Sequence, residues 1–262
     1  MAADADQLLR AGDLDGARHA LVEVVRARPA DAQARMFLFQ LLCIAGEWDK
    51  ARTQLNTLAQ LSPEAQMLSV AYGQAVEAER ERAAVFAGTA RVAILVQSDW
   101  AERLAEAIHH YAKGRVVEGN AARDAAFEAA PNTPGTLDGV ELDWIADADG
   151  RFGPAFEAII GGRYGLVPFD TVAGIKSEGP KDLRDTVWYP VQIAFRSGQS
   201  VAAMLPARYP GTESSGDPGE RLGRVTNWHD APAGQVGSGQ HLWTLSTGED
   251  RDLLSVRHLV LT

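Results

Sequence analysis

The chain has 262 residues, 46% of them hydrophobic, and 25 Lys and Arg against 35 Asp and Glu, a formal net charge of −10. This is too apolar for a disordered chain and suits one large or two modest domains of roughly 150 residues each. The negative balance argues against tracking of a phosphate backbone or an anionic membrane surface, because both depend on clustered Lys and Arg.

Predicted helices cover 4–11, 14–28, 31–45, 48–61, 64–87, 99–113 and 116–130. Asp31 and Ser62-Pro63 supply N-terminal punctuation. The early helices carry an internal repeat. Ala11-Gly12-Asp13-Leu14-Asp15-Gly16-Ala17 recurs as Ala45-Gly46-Glu47-Trp48-Asp49-Lys50-Ala51, and Gly12/Gly46, Leu14/Trp48, Ala17/Ala51, Leu21/Leu55 and Pro29/Pro63 all lie 34 residues apart. That is the tetratricopeptide period. The Gly ends the first helix of each pair, the large apolar residue fills the space between helices, the Ala lets the axes approach, and the Pro stops the second helix. A further 68 residues leads from Gly46 and Pro63 to Gly114 and Pro131, with Val116 and Gly119 at the equivalent inner positions. The unit between them lacks the Gly signature and reads as one long helix. Residues 91–96, apolar and β-branched, fit an extended linker.

After Pro131 the texture changes, with turn clusters at 132–135 and an Asp138-Gly139 hairpin signal. Strands are predicted at 140–145, 164–168, 187–196, 200–205, 240–246 and 254–261, short helices at 154–161 and 181–185, and a flexible loop at 211–220. The expected fold is therefore multidomain α and β. A tetratricopeptide-like α-α superhelix over 1–131 is followed by a mixed, mostly antiparallel α+β domain over 132–262.

Chemistry-bearing motifs are sparse. No phosphate-cradling loop, dinucleotide fingerprint, zinc-protease helix or nucleophile elbow is present. The single cysteine, Cys43, rules out an intramolecular disulfide and a cysteine zinc cluster, and its apolar surroundings at 36–44 favour a small buried hydrophobe. His19, His109, His110, His229, His241 and His258 are scattered, and no metal or cofactor is expected. The acidic start at 4–6 lacks the pattern of a secretory leader, and no apolar run is long enough to cross a bilayer, so a cytoplasmic location is expected.

The strongest polar grouping is Asp143-Trp144-Ile145-Ala146-Asp147-Ala148-Asp149-Gly150-Arg151. Ile145 stands where a calcium loop needs an oxygen ligand. One reading has Asp147 and Asp149 capping a following helix and pairing with Arg151. The alternative is a small-ligand regulator or hydrolase built on Asp143, Asp147 and Asp149 with Arg151, Arg208 and Tyr209. Trp100, Trp144, Trp188, Trp228 and Trp243 read as packing residues.

Phe37-Leu38-Phe39-Gln40-Leu41-Leu42-Cys43, Arg82-Ala83-Ala84-Val85-Phe86-Ala87-Gly88 and Trp144 through Pro154 run in order along the chain. Gly162-Arg163-Tyr164, Val167-Pro168-Phe169, Asp182-Leu183-Arg184-Asp185-Thr186-Val187-Trp188, Pro206-Ala207-Arg208-Tyr209-Pro210-Gly211 and Thr226-Asn227-Trp228 follow. With these segments the chain resembles the ImpE/TagJ (SciE-type) family of type VI secretion accessory proteins. One departure is His241, where the family more often has Arg. The resemblance implies a non-enzymatic adaptor that binds the small contractile-sheath subunit through its N-terminal helix and is linked to the AAA+ ATPase that disassembles sheaths. From charge and hydropathy, no nucleic-acid partner and no membrane insertion are expected. The repeat would present Gln33, Met36, Gln40 and Cys43, then Leu104, Ile108 and Tyr111, near a concave partner-binding face. The segment holding Trp144, Asp147, Asp149 and Arg151, with Arg208 and Tyr209, is left as a motif loop without an assigned role. A generic tetratricopeptide scaffold remains the plainer alternative.

Overall fold

The computed structural model describes residues 2–61, 63–231 and 233–262. Seven helices come first: α1 (Ala2–Arg10), α2 (Leu14–Ala27), α3 (Ala32–Ile44), α4 (Trp48–Leu61), α5 (Pro63–Phe86), α6 (Ala101–Ala112) and α7 (Val116–Ala129). Ser62, expected to help start α5, lies outside the described residues. The repeat is visible in backbone geometry. Gly12, Gly46 and Gly114 end α1, α3 and α6 with φ of +85°, +68° and +70°. In each case the Gly N–H and the next N–H turn back to carbonyls of the last helical turn, as in Gly46 to Cys43 (3.1 Å) and Glu47 to Leu42 (2.9 Å). Asp13 caps α2 through Gly16 N–H (2.8 Å), and Asp31 caps α3 through Ala34 N–H (3.0 Å). At the third repeat Gly119 is buried against Tyr111; a Cβ there would come within 2.6 Å of the ring, so the helix crossing requires a residue without one.

The rest is β-rich: β1 (Gly135–Leu137), β2 (Val140–Leu142), β3 (Ile145–Asp147), β4 (Ala155–Ile160), β5 (Arg163–Pro168), β6 (Val172–Lys176), β7 (Trp188–Phe195) and β8 (Ser200–Pro206). A one-turn helix α8 (Pro218–Arg221), then β9 (Thr226–Ala231), β10 (Gly234–Gly239), β11 (Leu242–Leu245), β12 (Asp250–Asp252) and β13 (His258–Leu261) complete it. An antiparallel eight-stranded sheet runs β2-β1-β13-β6-β7-β8-β4-β5, beside a three-stranded sheet β12-β11-β3 and the hairpin β9–β10. The predicted strands at 187–196 and 200–205 pair as the hairpin β7–β8, turning at Gly198. The linker is extended as expected and docks on the outer edge of β5. Leu95 N–H and Leu166 N–H donate to the carbonyls of Leu166 and Ala93 at 2.8 Å each.

Where a helix was predicted at 154–161, the chain forms β4 (Ala155–Ile160). Its two faces serve two cores: Ala155 and Ile159 join the helices, while Phe156 and Ala158 pack with Phe169 and Trp243 under the three-stranded sheet. A strand buried on both sides reads as a continuous apolar run. The 211–220 loop is likewise built rather than irregular. It holds a 3₁₀ turn at Thr212–Ser214 and α8, and buried Glu220 accepts from Ser215, Asn227 and Ser238.

The inner face of the helical stack is not empty. The 3₁₀ turn Leu183–Thr186 and Trp188 sit against the first helices of successive pairs, α3 and α5. Trp188 packs on Trp48 (5.9 Å) and Tyr72 (5.8 Å), and the Arg184 guanidinium lies 4.6 Å over the Tyr72 ring.

Candidate functional site

Two places concentrate the sequence-selected residues. The first is the joint between α5 and the sheet. Arg82, on the buried side of α5, meets Glu157 of β4 through two bonds, Nε to Oε1 (2.7 Å) and Nη2 to Oε2 (2.6 Å). Glu157 also accepts from Tyr164 Oη (2.5 Å), and its Oε2 lies 3.0 Å from His241 Nε2. The other ring nitrogen of His241 lies 2.7 Å from Asp147 Oδ2. Asp147 Oδ1 accepts from Asp149 N–H (2.9 Å) and Tyr209 Oη (3.1 Å). Asp149, fully buried, accepts from Arg151 Nε and Nη2 and from Gly237 N–H (2.9 Å). Arg208 donates to the carbonyls of Ile44 (3.0 Å) and Arg221 (2.6 Å), and Glu79 accepts from Trp188 Nε1 (3.0 Å).

The charges balance: Arg82, Arg151, Arg208 and His241 face Glu79, Asp147, Asp149 and Glu157. An imidazole with a carboxylate at each nitrogen must donate from both, so His241 is an imidazolium. Burial alone would lower its proton affinity, but Asp147 and Glu157 push the pKa up to about 9. Burial opposes ionisation of Glu157 as well, yet Arg82 and His241 hold its carboxyl well below the usual range. Burial raises Asp147, against the pull of His241. Burial lowers Arg208 to about 10, still charged at neutral pH, with Glu79 and Glu213 countering. Tyr209 is raised by burial and by Asp147, and stays a donor.

This corrects one expectation in part. Asp149 pairs with Arg151, but no helix follows for Asp147 and Asp149 to cap; the chain enters β4, and the two carboxylates close tight turns onto Asp149 and Arg151 N–H. Asp143 stays exposed, outside the cluster. Trp144 is exposed, as is Trp228 with its ring 5.7 Å from that of Tyr209, whereas Trp100, Trp188 and Trp243 are core. Sequence reading gave no site role to Glu79, Arg82, Glu157, Tyr164 and His241, although Arg82, Tyr164 and His241 were named there. They come from distant segments that only the fold brings together.

The second place is the helical half. Gln33, Met36 and Gln40 line an open groove of about 530 Å3 with Asp6, Arg28 and Phe37, between α1 and α3. Arg184 reaches its wall, with Nη1 3.7 Å from Met36 Sδ. Cys43 is fully buried, and burial pushes its thiol up. Leu104 is also fully buried and serves the core, not a surface, because α6 packs that side against its neighbours. Ile108 and Tyr111 line a different opening, beside Phe86 and Val116.

A family model described as ImpE protein matches residues 139–260, and a tetratricopeptide repeat model matches residues 8–71. The type VI secretion system accessory component TagJ of Pseudomonas aeruginosa is 41% identical over 246 residues, covering 94% of this chain and 86% of that protein. An X-ray crystal structure of a Vibrio parahaemolyticus protein superposes with a TM-score of 0.88 at 22% identity, covering 99% of this chain and 97% of the other. That likeness shows the same fold, a tetratricopeptide-like helical region followed by a sheet-rich domain. No helix among the described residues is long and apolar enough to cross a membrane. On the match to TagJ, the chain belongs to the ImpE/TagJ family of type VI secretion accessory proteins.

Proposed function

We propose that the chain is a non-enzymatic cytoplasmic adaptor that binds the N-terminal helix of the small contractile-sheath subunit and is linked to the AAA+ sheath-disassembly ATPase. Residues 1–131 are read as the partner-facing unit and 132–262 as its brace. The observation that carries this reading is the saturation of the Asp loop. Both oxygens of Asp147, Asp149 and Glu157 are engaged by groups of the same chain, away from solvent. Such carboxylates serve architecture, whereas a hydrolase needs one aimed at a substrate. The helical half, by contrast, keeps the α1–α3 groove open, where an apolar stripe on a partner helix can meet Met36 and Phe37 while Gln33 and Gln40 satisfy polar edges.

A pull-down with the sheath subunit's N-terminal peptide tests this. Met36→Glu and Gln40→Arg, both in folded protein, are each expected to weaken binding about tenfold or more. No binding by the unaltered protein, or binding indifferent to both substitutions, overturns the groove assignment.

A further inference from the structure

A second opening, sharing no lining residue with the α1–α3 groove, lies where α5 ends, between the α6–α7 turn and the β9–β10 hairpin. It is a trough of about 330 Å3 with apolar walls from Phe86, Ile108, Tyr111, Val116 and Val236. A hollow of about 200 Å3 continues it past Phe86, Pro210 and Gly211 to Trp48 and Glu213. Val117, 79% exposed, extends the apolar surface beyond the rim.

Among the described residues lining the larger trough, Arg151 is the one charged group. Asp149 holds its Nε and Nη2, and among the described residues Nη1 makes no hydrogen bond. A small ligand needs several converging polar groups to fix its orientation, and these walls do not offer them. The rim is basic. Lys113 and Arg115 stand exposed on either side of the lining residue Gly114. Arg91 joins them around His109, whose proton affinity is lowered by burial and then by Arg91, Arg115 and Lys113.

We infer that this trough docks an acidic amphipathic helix of a partner protein, its apolar stripe seated between Phe86 and Val116 and its Asp or Glu side chains meeting Lys113, Arg115 and Arg151. Spacing of i, i+3, i+4 and i+7 puts such side chains on one face. The opposite charges favour this partner over a basic one and speed its capture. With the α1–α3 groove elsewhere on the molecule, the adaptor holds two partners at once.

Fluorescence anisotropy with two labelled synthetic helices of about 16 residues, a little over four turns, tests the inference on the full chain. Both carry Leu at i, i+3, i+4 and i+7; one has Glu on the flanks and the other Lys. The unaltered protein is expected to bind the Glu peptide about tenfold or more tightly than the Lys peptide. Lys113→Glu with Arg115→Glu, two exposed positions that leave the core intact, is expected to abolish that preference. Val116→Asp, checked for folding by circular dichroism, is expected to lose the Glu peptide. Failure to bind either peptide, equal affinity for both, or undiminished binding in Val116→Asp overturns the inference. So does self-association of the unaltered protein that Val116→Asp abolishes, which assigns the trough to a second copy.

Discussion

Replacing Arg82 by Met probes the joint most directly. The side chain is 7% exposed and its partner carboxylate 1%, so solvent screening does little to weaken the pair. Removing one member of a buried ion pair costs about 3–5 kcal/mol, chiefly because the other charge is stranded. Here Glu157 keeps Tyr164 and His241, and Glu79 keeps Trp188, so the expected loss lies at the low end, about 3 kcal/mol. At about 2–4 °C per kcal/mol for a chain of this size, the melting temperature drops by roughly 6–12 °C. Thermal melts followed by circular dichroism and by tryptophan fluorescence read both the shift and its shape. The pair joins the helices to the sheet, so the two signals are expected to separate in the variant. Glu157→Gln in the Arg82→Met background is expected to cost less than the sum of the single changes, by about 1–3 kcal/mol of coupling. A loss below about 1 kcal/mol, or strict additivity, refutes the assignment of Arg82–Glu157 as the tie between the two layers.

His241 makes the same joint sensitive to pH. Its pKa is about 9 when folded and about 6.5 when unfolded, so its contribution is complete below about pH 6.5 and is lost as pH rises through 9. Melts across pH 6 to 10 are expected to show stability falling on the order of 3 kcal/mol, with a flatter curve in His241→Gln; equal slopes contradict the bridging imidazolium. Gly237→Ala is expected to destabilise by about 1–3 kcal/mol, because the new Cβ would come within 2.3 Å of the Tyr209 ring, which His241 and Asp147 hold from the other side. Chemical denaturation checks it, and a neutral substitution would mean that the β10–Tyr209 contact is loose.

The helical half was legible because its signals are local. A Gly at the end of one helix and an Ala where two helices cross, repeated at one period, mark pairs whose partners are near in sequence. The β half hides its signals. β4 satisfies two cores at once and so carries no alternation, and Pro154 and Gly161-Gly162 bracket a strand as well as a helix. β10, with three glycines in six residues, has too few side chains to show any period. The charged joint was the least readable. Arg82 and Glu157 are 75 residues apart, and Asp147 and His241 are 94 apart. Glu79 and Arg82 look in sequence like the solvated face of an Ala- and Glu-rich helix. The motif loop stands out in the sequence as an acidic cluster, but Asp147 and Asp149 are buried against partners that no spacing rule connects.

The Leu183–Trp188 segment that fills the inner face of the helices also sets an order of events during synthesis. Trp188 leaves the ribosome 102 residues after Phe86 ends α5, which at about 5–20 residues per second is roughly 5–20 s later. During that interval the nascent helices stand with Tyr72 and Trp48 uncovered, and Glu79 and Arg82 remain hydrated. His241 arrives later still, 53 residues after Trp188. The helical stack therefore waits, half-finished, for its own C-terminal half, and a ribosome stalled anywhere before Trp188 would present a sticky concave surface to the cytosol.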